Sequence, residues 1–202
     1  MARGIFLAFE GIDASGKSTQ ARRVAAERGA RLTFEPGDTE LGAQLRTWLL
    51  DARTAMTPQS EALLMLADRS HHVATVIEPE LAAGRNVVSD RFLASTLAYQ
   101  GYGRGVDLDL LQRCTELAVG NCRPDLTILL DLPVELAAKR RARSAQDRFE
   151  SSGDSFQSRV REGFLSLARE NSATWIVVDA TPSEALVAAQ IDERLETLDW
   201  SS

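Results

Sequence analysis

Gly11-Ile12-Asp13-Ala14-Ser15-Gly16-Lys17-Ser18 is the stretch that decides the fold. It fits G-x-x-x-x-G-K-[ST], follows an apolar run over 5–9, and opens a helical pattern over 17–28. Strand, loop and helix in that order are the setting a phosphate-binding loop requires. Glycines let the backbone curl until successive N–H groups face one anion. The helix N-terminus adds the positive end of its dipole. The spacing assigns Gly11, Ile12, Asp13, Ala14, Ser15, Gly16, Lys17, Ser18 and Thr19 to the phosphates of a nucleotide. Lys17 is placed to reach the β- and γ-phosphates, and the Ser18 hydroxyl to ligate Mg²⁺. A switch GTPase would need further motifs: N-K-x-D is absent, and the only D-x-x-G, Asp13 to Gly16, lies inside the loop itself.

Outward from the loop, short apolar runs alternate with longer helical patterns. Residues 31–34, 86–89, 126–130 and 175–178 read as further strands. Helical patterns cover 40–50, 58–83, 93–100, 107–119, 134–143, 155–171 and 182–198, with Pro58 and Gly84 punctuating the long second one. This alternation predicts an α/β protein: a three-layer α/β/α P-loop fold with a five-stranded parallel sheet and helices on both faces. The 202 residues suffice for one domain over 1–202. Ligands of such sheets bind beyond the carboxyl ends of the strands. The residues just after each strand are therefore the candidates for chemistry. Two strands run into aspartate, Asp90 and Asp131, and either could hold Mg²⁺.

The formal net charge of −6 argues against a basic duplex-binding surface, so no nucleic-acid partner is expected. No apolar run approaches the ~18–20 residues of a membrane span. A cytoplasmic protein without a membrane partner is expected. Cys114 and Cys122 lack metal-type spacing, and His71 and His72, adjacent on a helix, point about 100° apart and suit no shared metal. The run Lys139-Arg140-Arg141-Ala142-Arg143 precedes a polar stretch ending at Gly153. It reads as a short lid, about 142–153, that closes over ATP phosphates, or as a basic helix end that suits the dipole.

Six further stretches, in order, resemble the thymidylate kinase family. Phe9-Glu10-Gly11-Ile12-Asp13 leads into the phosphate loop, and Glu35-Pro36-Gly37-Asp38-Thr39 resembles the family's E-P-G-x-T loop. Ala67-Asp68-Arg69, Asp90-Arg91-Phe92, Ala98-Tyr99-Gln100-Gly101 and Asp147-Arg148-Phe149-Glu150 continue the match. The resemblance implies an enzyme that uses ATP and Mg²⁺ to convert dTMP to dTDP, releasing ADP, and that forms a homodimer through its long helices. It implies an acceptor site of Asp13, Phe34, Arg46, Met65, Arg69, Arg91, Thr96, Tyr99 and Gln100. Arg69 and Arg91 would hold the acceptor phosphate, and Gln100 would read thymine. It favours Asp90 over Asp131 for the metal. With no arginine between Asp13 and Gly16, the chain is similar to the bacterial-type branch that supplies one from the lid. Arg143 and Arg148 are the candidates, with Arg141 behind them. Lys17, Asp13 and Arg91 complete the expected catalytic set. Two departures fall on the acceptor side. Phe34 stands where many bacterial members have an arginine, and Met65 where many have a phenylalanine that stacks on thymine. Another nucleoside monophosphate as acceptor, or a regulatory nucleotide binder, are the competing readings.

Overall fold

The structure is a computed structural model that describes residues 2–141, 148–149, 153–198 and 200. Five parallel strands form one sheet in the order β2-β3-β1-β4-β5: β1 Phe6–Glu10, β2 Arg31–Phe34, β3 Val87–Asp90, β4 Leu126–Asp131 and β5 Trp175–Asp179. β1 is buried along its whole length and β4 through its centre. Their unbroken apolar runs are the signature of strands covered on both faces. Alternate side chains of β1 go to opposite layers. Leu7 and Phe9 join a core with α1 (Lys17–Glu27), α8 (Asp154–Glu170) and α9 (Glu184–Leu195). Phe6 and Ala8 pack on Val73, Ile77 and Leu81 of the opposite layer. The expected three-layer architecture is present.

The helix expected over 58–83 is three pieces of one rod. α3 (Pro58–His72) passes through a π turn, Val73–Ile77, into α4 (Glu78–Ala82). Likewise, α5 (Leu93–Thr96) runs into a second π turn, Leu97–Gly103. Thr57 caps α3 by accepting from Ser60 N–H, and Thr39 caps α2 (Glu40–Leu50) by accepting from Gly42 N–H. α6 (Leu108–Val119) starts at its own cap, Asp107. α7 (Val134–Arg141) is described as far as Arg141, so most of the expected lid, Arg143 included, lies outside the described residues. Asn86 lies just before β3, where its side chain accepts from Ile5 N–H. The last helix starts at Glu184, two residues later than its proline suggested.

Candidate active site

The carboxyl ends of β1, β2 and β3 open into a cavity of about 330 Å³. It gathers Asp13, Lys17, Ser18, Phe34, Arg46, Met65, Arg69, Asp90, Arg91, Thr96, Tyr99 and Gln100. Every expected acceptor residue is therefore on one wall or another of a single cleft. Arg22, Glu35 and Phe149 also line it.

The phosphate loop closes the cleft at the end of β1. Gly11 and Gly16 have φ of 144° and 95°, and Ala14 shares the left-handed region at 64°. A Cβ on Gly11 would come within 2.6 Å of Leu130 O, so close approach to β4 demands glycine as much as the dihedral does. Lys17 is 7% exposed, with Nζ 3.5 Å from Asp13 Oδ1. Burial, then the neighbouring Arg91 charge, lowers its pKa, opposed by Asp13, Asp90 and Glu10. An ammonium enclosed among carboxylates in this way is ready for anionic phosphate oxygens.

Arg91 follows β3 with φ of 73°, a conformation costing a non-glycine residue of order 1–3 kcal/mol. Its side chain explains why the position is held. Nη2 donates to Asp13 Oδ1 at 2.5 Å and to Tyr99 Oη at 3.0 Å, while Nη1 donates to Ser95 Oγ and Gly11 O. Tyr99 Oη in turn donates to Asp13 Oδ2. The guanidinium, phosphate loop and π turn are thus one braced unit. Behind it, buried Glu10 accepts from the backbone N–H groups of Phe92 and Ser95 and from Ser95 Oγ. Burial pushes its carboxyl up to about 6 against these bonds. Sequence reading had Glu10 only as part of a motif; its structural work is to cap the short helix that carries Thr96.

Arg69 is 1% exposed and committed to three partners: Glu35 Oε2 at 2.7 Å, Thr96 Oγ1 at 2.6 Å and Phe92 O at 2.9 Å. A guanidinium has five N–H donors, so two remain for a ligand in the cleft. Glu35 is the residue that sequence reading left without a role. It also binds His72 Nδ1 at 2.9 Å, and His72 Nε2 meets Thr33 Oγ1. Burial would raise the Glu35 carboxyl, but Arg69 and His72 hold it below the usual range. Asp68 lies beside this group; burial, then Glu35, pushes its carboxyl up to about 6. His72 is therefore a buried bracing residue, while His71 faces outward.

On the opposite wall, the Arg46 guanidinium lies 5.6 Å from the Phe34 ring centroid and donates to Pro36 O. Gln100 Nε2 donates to Glu61 Oε1 at 2.7 Å. Glu61 also faces Arg148 Nη2 at 2.8 Å, and Arg148 Nε donates to Leu49 O. Arg148, expected over the ATP phosphates, is drawn away by this carboxylate and lines a second depression with Glu61 and Arg104. Arg140, which sequence reading did not single out, donates to Ala14 O and Ala180 O and so ties the phosphate loop to the end of β5.

The two candidate metal aspartates, Asp90 and Asp131, are distinguished by their partners. Asp131 is gripped by Arg161 through two bonds of 2.6 and 2.8 Å. Asp90 lines the cleft with Oδ1 buried and unpartnered among the described residues. An orphaned carboxylate oxygen in the cleft that Ser18 also lines suits Mg²⁺, a hard cation that takes oxygen ligands and keeps waters. The residues therefore fit the ion.

Comparison with known proteins agrees with this geometry. The thymidylate kinase family model matches residues 9–191. A thymidylate kinase of Desulforudis audaxviator is 44% identical over 96% of this chain and 91% of its own. One from Geobacter sulfurreducens is 46% identical over 94% of this chain and 95% of its own. The crystal structure of thymidylate kinase from Ehrlichia chaffeensis superposes with a TM-score of 0.78 at 31% identity, covering 96% of this chain and 99% of that one. With a family model spanning the sheet and the cleft alike, the chain belongs to the thymidylate kinase family.

Proposed function

We propose that this chain transfers the γ-phosphoryl group of ATP to dTMP, giving ADP and dTDP, in the cleft at the carboxyl ends of β1–β3. The observation that carries the reading is Arg91. It is held in an unfavourable backbone conformation and fastened to Asp13 of the phosphate loop. It thereby sits between the loop that would hold the donor and the wall that would hold the acceptor.

The acceptor phosphate is already an anion, since its second pKa is about 6. It needs alignment and charge neutralisation rather than a strong base. In our reading Arg91 and the free N–H groups of Arg69 grip that phosphate, with Arg46 as a further cation of the acceptor site. An acceptor oxygen attacks the γ-phosphorus while the bond to the β-bridging oxygen breaks, so the electron pair leaves with ADP. Lys17 and the loop N–H groups Gly11 to Thr19 neutralise the charge that builds on the donor. Ser18 and Asp90 would hold Mg²⁺, which when bound neutralises phosphate charge. Asp13 orients Arg91 and Lys17 together. Tyr99 bounds the sugar, Met65 and Phe34 provide apolar surface for the base, and Gln100 reads it. Arg143 is assigned to the γ-phosphate on the family pattern alone.

The chain works in the cytoplasm as a homodimer, without nucleic acid. Leu63 of α3 and Leu117 of α6, 62% and 86% exposed, are apolar surface that a second copy would cover.

The test is ADP release from ATP·Mg²⁺ by purified protein against dTMP, dUMP, dCMP, dGMP, UMP, CMP and thymidine. dTMP is expected to stand out. A different preferred acceptor would overturn the substrate and leave the transfer chemistry. Silence across the panel with ATP still bound would replace this reading by a regulatory one.

A further inference from the structure

Gln100 enters the cleft from the π turn after α5, and its amide is anchored. Nε2 donates to Glu61 Oε1 at 2.7 Å. Glu61 is 1% exposed and is fixed in the first turn of α3, where its N–H donates to Thr57 O. Its Oε2 faces Arg148 Nη2 at 2.8 Å and Arg104 Nε at 3.4 Å. Two arginines thus neutralise the carboxylate and hold it in place. A carboxylate accepts hydrogen bonds and donates none, whereas a side-chain amide has one edge of each kind. Only the Nε2 edge of Gln100 can face Glu61, so the Oε1 edge is turned the other way. Gln100 itself is 1% exposed and lines the cleft.

We infer that Glu61 is a specificity-positioning residue: by pinning the Gln100 amide it makes the site select a pyrimidine that carries N3–H, such as thymine, over cytosine. This rests on the reading of the cleft as a dTMP site. Thymine offers N3–H to an acceptor and O4 to a donor, which the fixed Oε1 and the second Nε2 proton match together. Cytosine offers the reverse at both positions, a bare N3 and an amino group. Against a fixed amide it opposes acceptor to acceptor and donor to donor, and buried polar groups left unpaired are rejected strongly. A glutamine free to turn over would serve either base. The discrimination therefore resides in the carboxylate behind the amide.

The experiment compares kcat/KM for dTMP and dCMP. Glu61→Gln replaces the carboxylate by an amide that can pair with Gln100 either way round. The dTMP:dCMP ratio is expected to fall about 10-fold or more, with KM for ATP unchanged. Glu61→Asp keeps the charge for both arginines but withdraws it by one methylene, and should lower the ratio in the same direction. It also keeps the test open if Glu61→Gln does not fold, which melting curves establish. In a Gln100→Ala background, Glu61→Gln should change the ratio no further, because the two residues act through one contact. An unchanged ratio in the folded single variants, or an undiminished effect without Gln100, overturns the inference. A wild-type protein that takes dCMP as readily as dTMP overturns the dTMP reading itself, before any variant is made.

Discussion

Arg91 joins an unusual backbone conformation to an unusual density of partners, and both follow from one position after β3. Arg91→Lys keeps the charge but loses the planar fork that reaches Asp13, Ser95 and Tyr99 together. kcat/KM for dTMP is expected to fall about 100-fold or more. ATP binding, measured by titration without acceptor, should change little. Wild-type kinetics in that variant would reduce Arg91 to a brace of the phosphate loop. Phe34 sits 38% exposed at the rim of the cleft with Arg46 across its ring. Phe34→Ala should raise KM for the acceptor several-fold and leave KM for ATP alone, because it removes apolar surface and loosens Arg46; an unmoved acceptor KM would count against it. These residues were legible because each sits in a short motif beside a strand end. Glu61 and His72 were not, and Glu35, though it opens the motif after β2, showed no sign of its buried partners. A lone glutamate or histidine in a helical pattern reads as a solvated surface group, and their roles arise from pairings across 39, 34 and 37 residues of chain. The partner of Arg148 was equally hidden: it pairs with Glu61, far away in sequence.

At the scale of elements, strands and helices were readable from apolar runs and from punctuation such as Pro58 and Gly84, while the caps Thr39, Thr57 and Asp107 emerged with the structure. The π turns at Val73–Ile77 and Leu97–Gly103 left no such mark, since a widened turn is decided by what packs around it. α3 also carries Asp68, whose carboxyl is pushed up to about 6 from an ordinary 3.8. Between those values the folded chain holds more protons at this site than the unfolded chain. Its contribution therefore falls as pH rises through the window from about 4 to 6. Asp68→Asn abolishes that loss. The melting temperature of the variant, relative to wild type, should improve on going from about pH 5 to about pH 7.5. A difference independent of pH would mean that Asp68 ionises normally.

For the whole molecule, a parallel five-stranded sheet with its cleft at the carboxyl edge follows from the alternation of elements, and the strand order adds what the alternation could not. Splitting the order at β1 puts Asp90 of β3 on one side of the phosphate loop and Asp131 of β4 on the other. Only the former edge faces the acceptor wall. Association lies at the same scale. The protein should sediment at twice its 22.1 kDa chain mass, and Leu63→Glu with Leu117→Glu should return it to the chain mass. Wild-type sedimentation at the chain mass would remove the dimer. The π turns bear finally on which lengths of chain the family can tolerate. A π turn is an α-helix that has absorbed one surplus residue, so removing one residue there restores plain α-helix, leaves the chain beyond in register and redirects only the side chains within the turn. In the rod that ends at Ala82, a one-residue deletion would be absorbed by relaxing to plain α-helix before the loop at Gly84. Between Leu97 and Gly103 the same deletion would carry Gln100 off the cleft wall. The two bulges are thus unequal as places where insertions and deletions can accumulate.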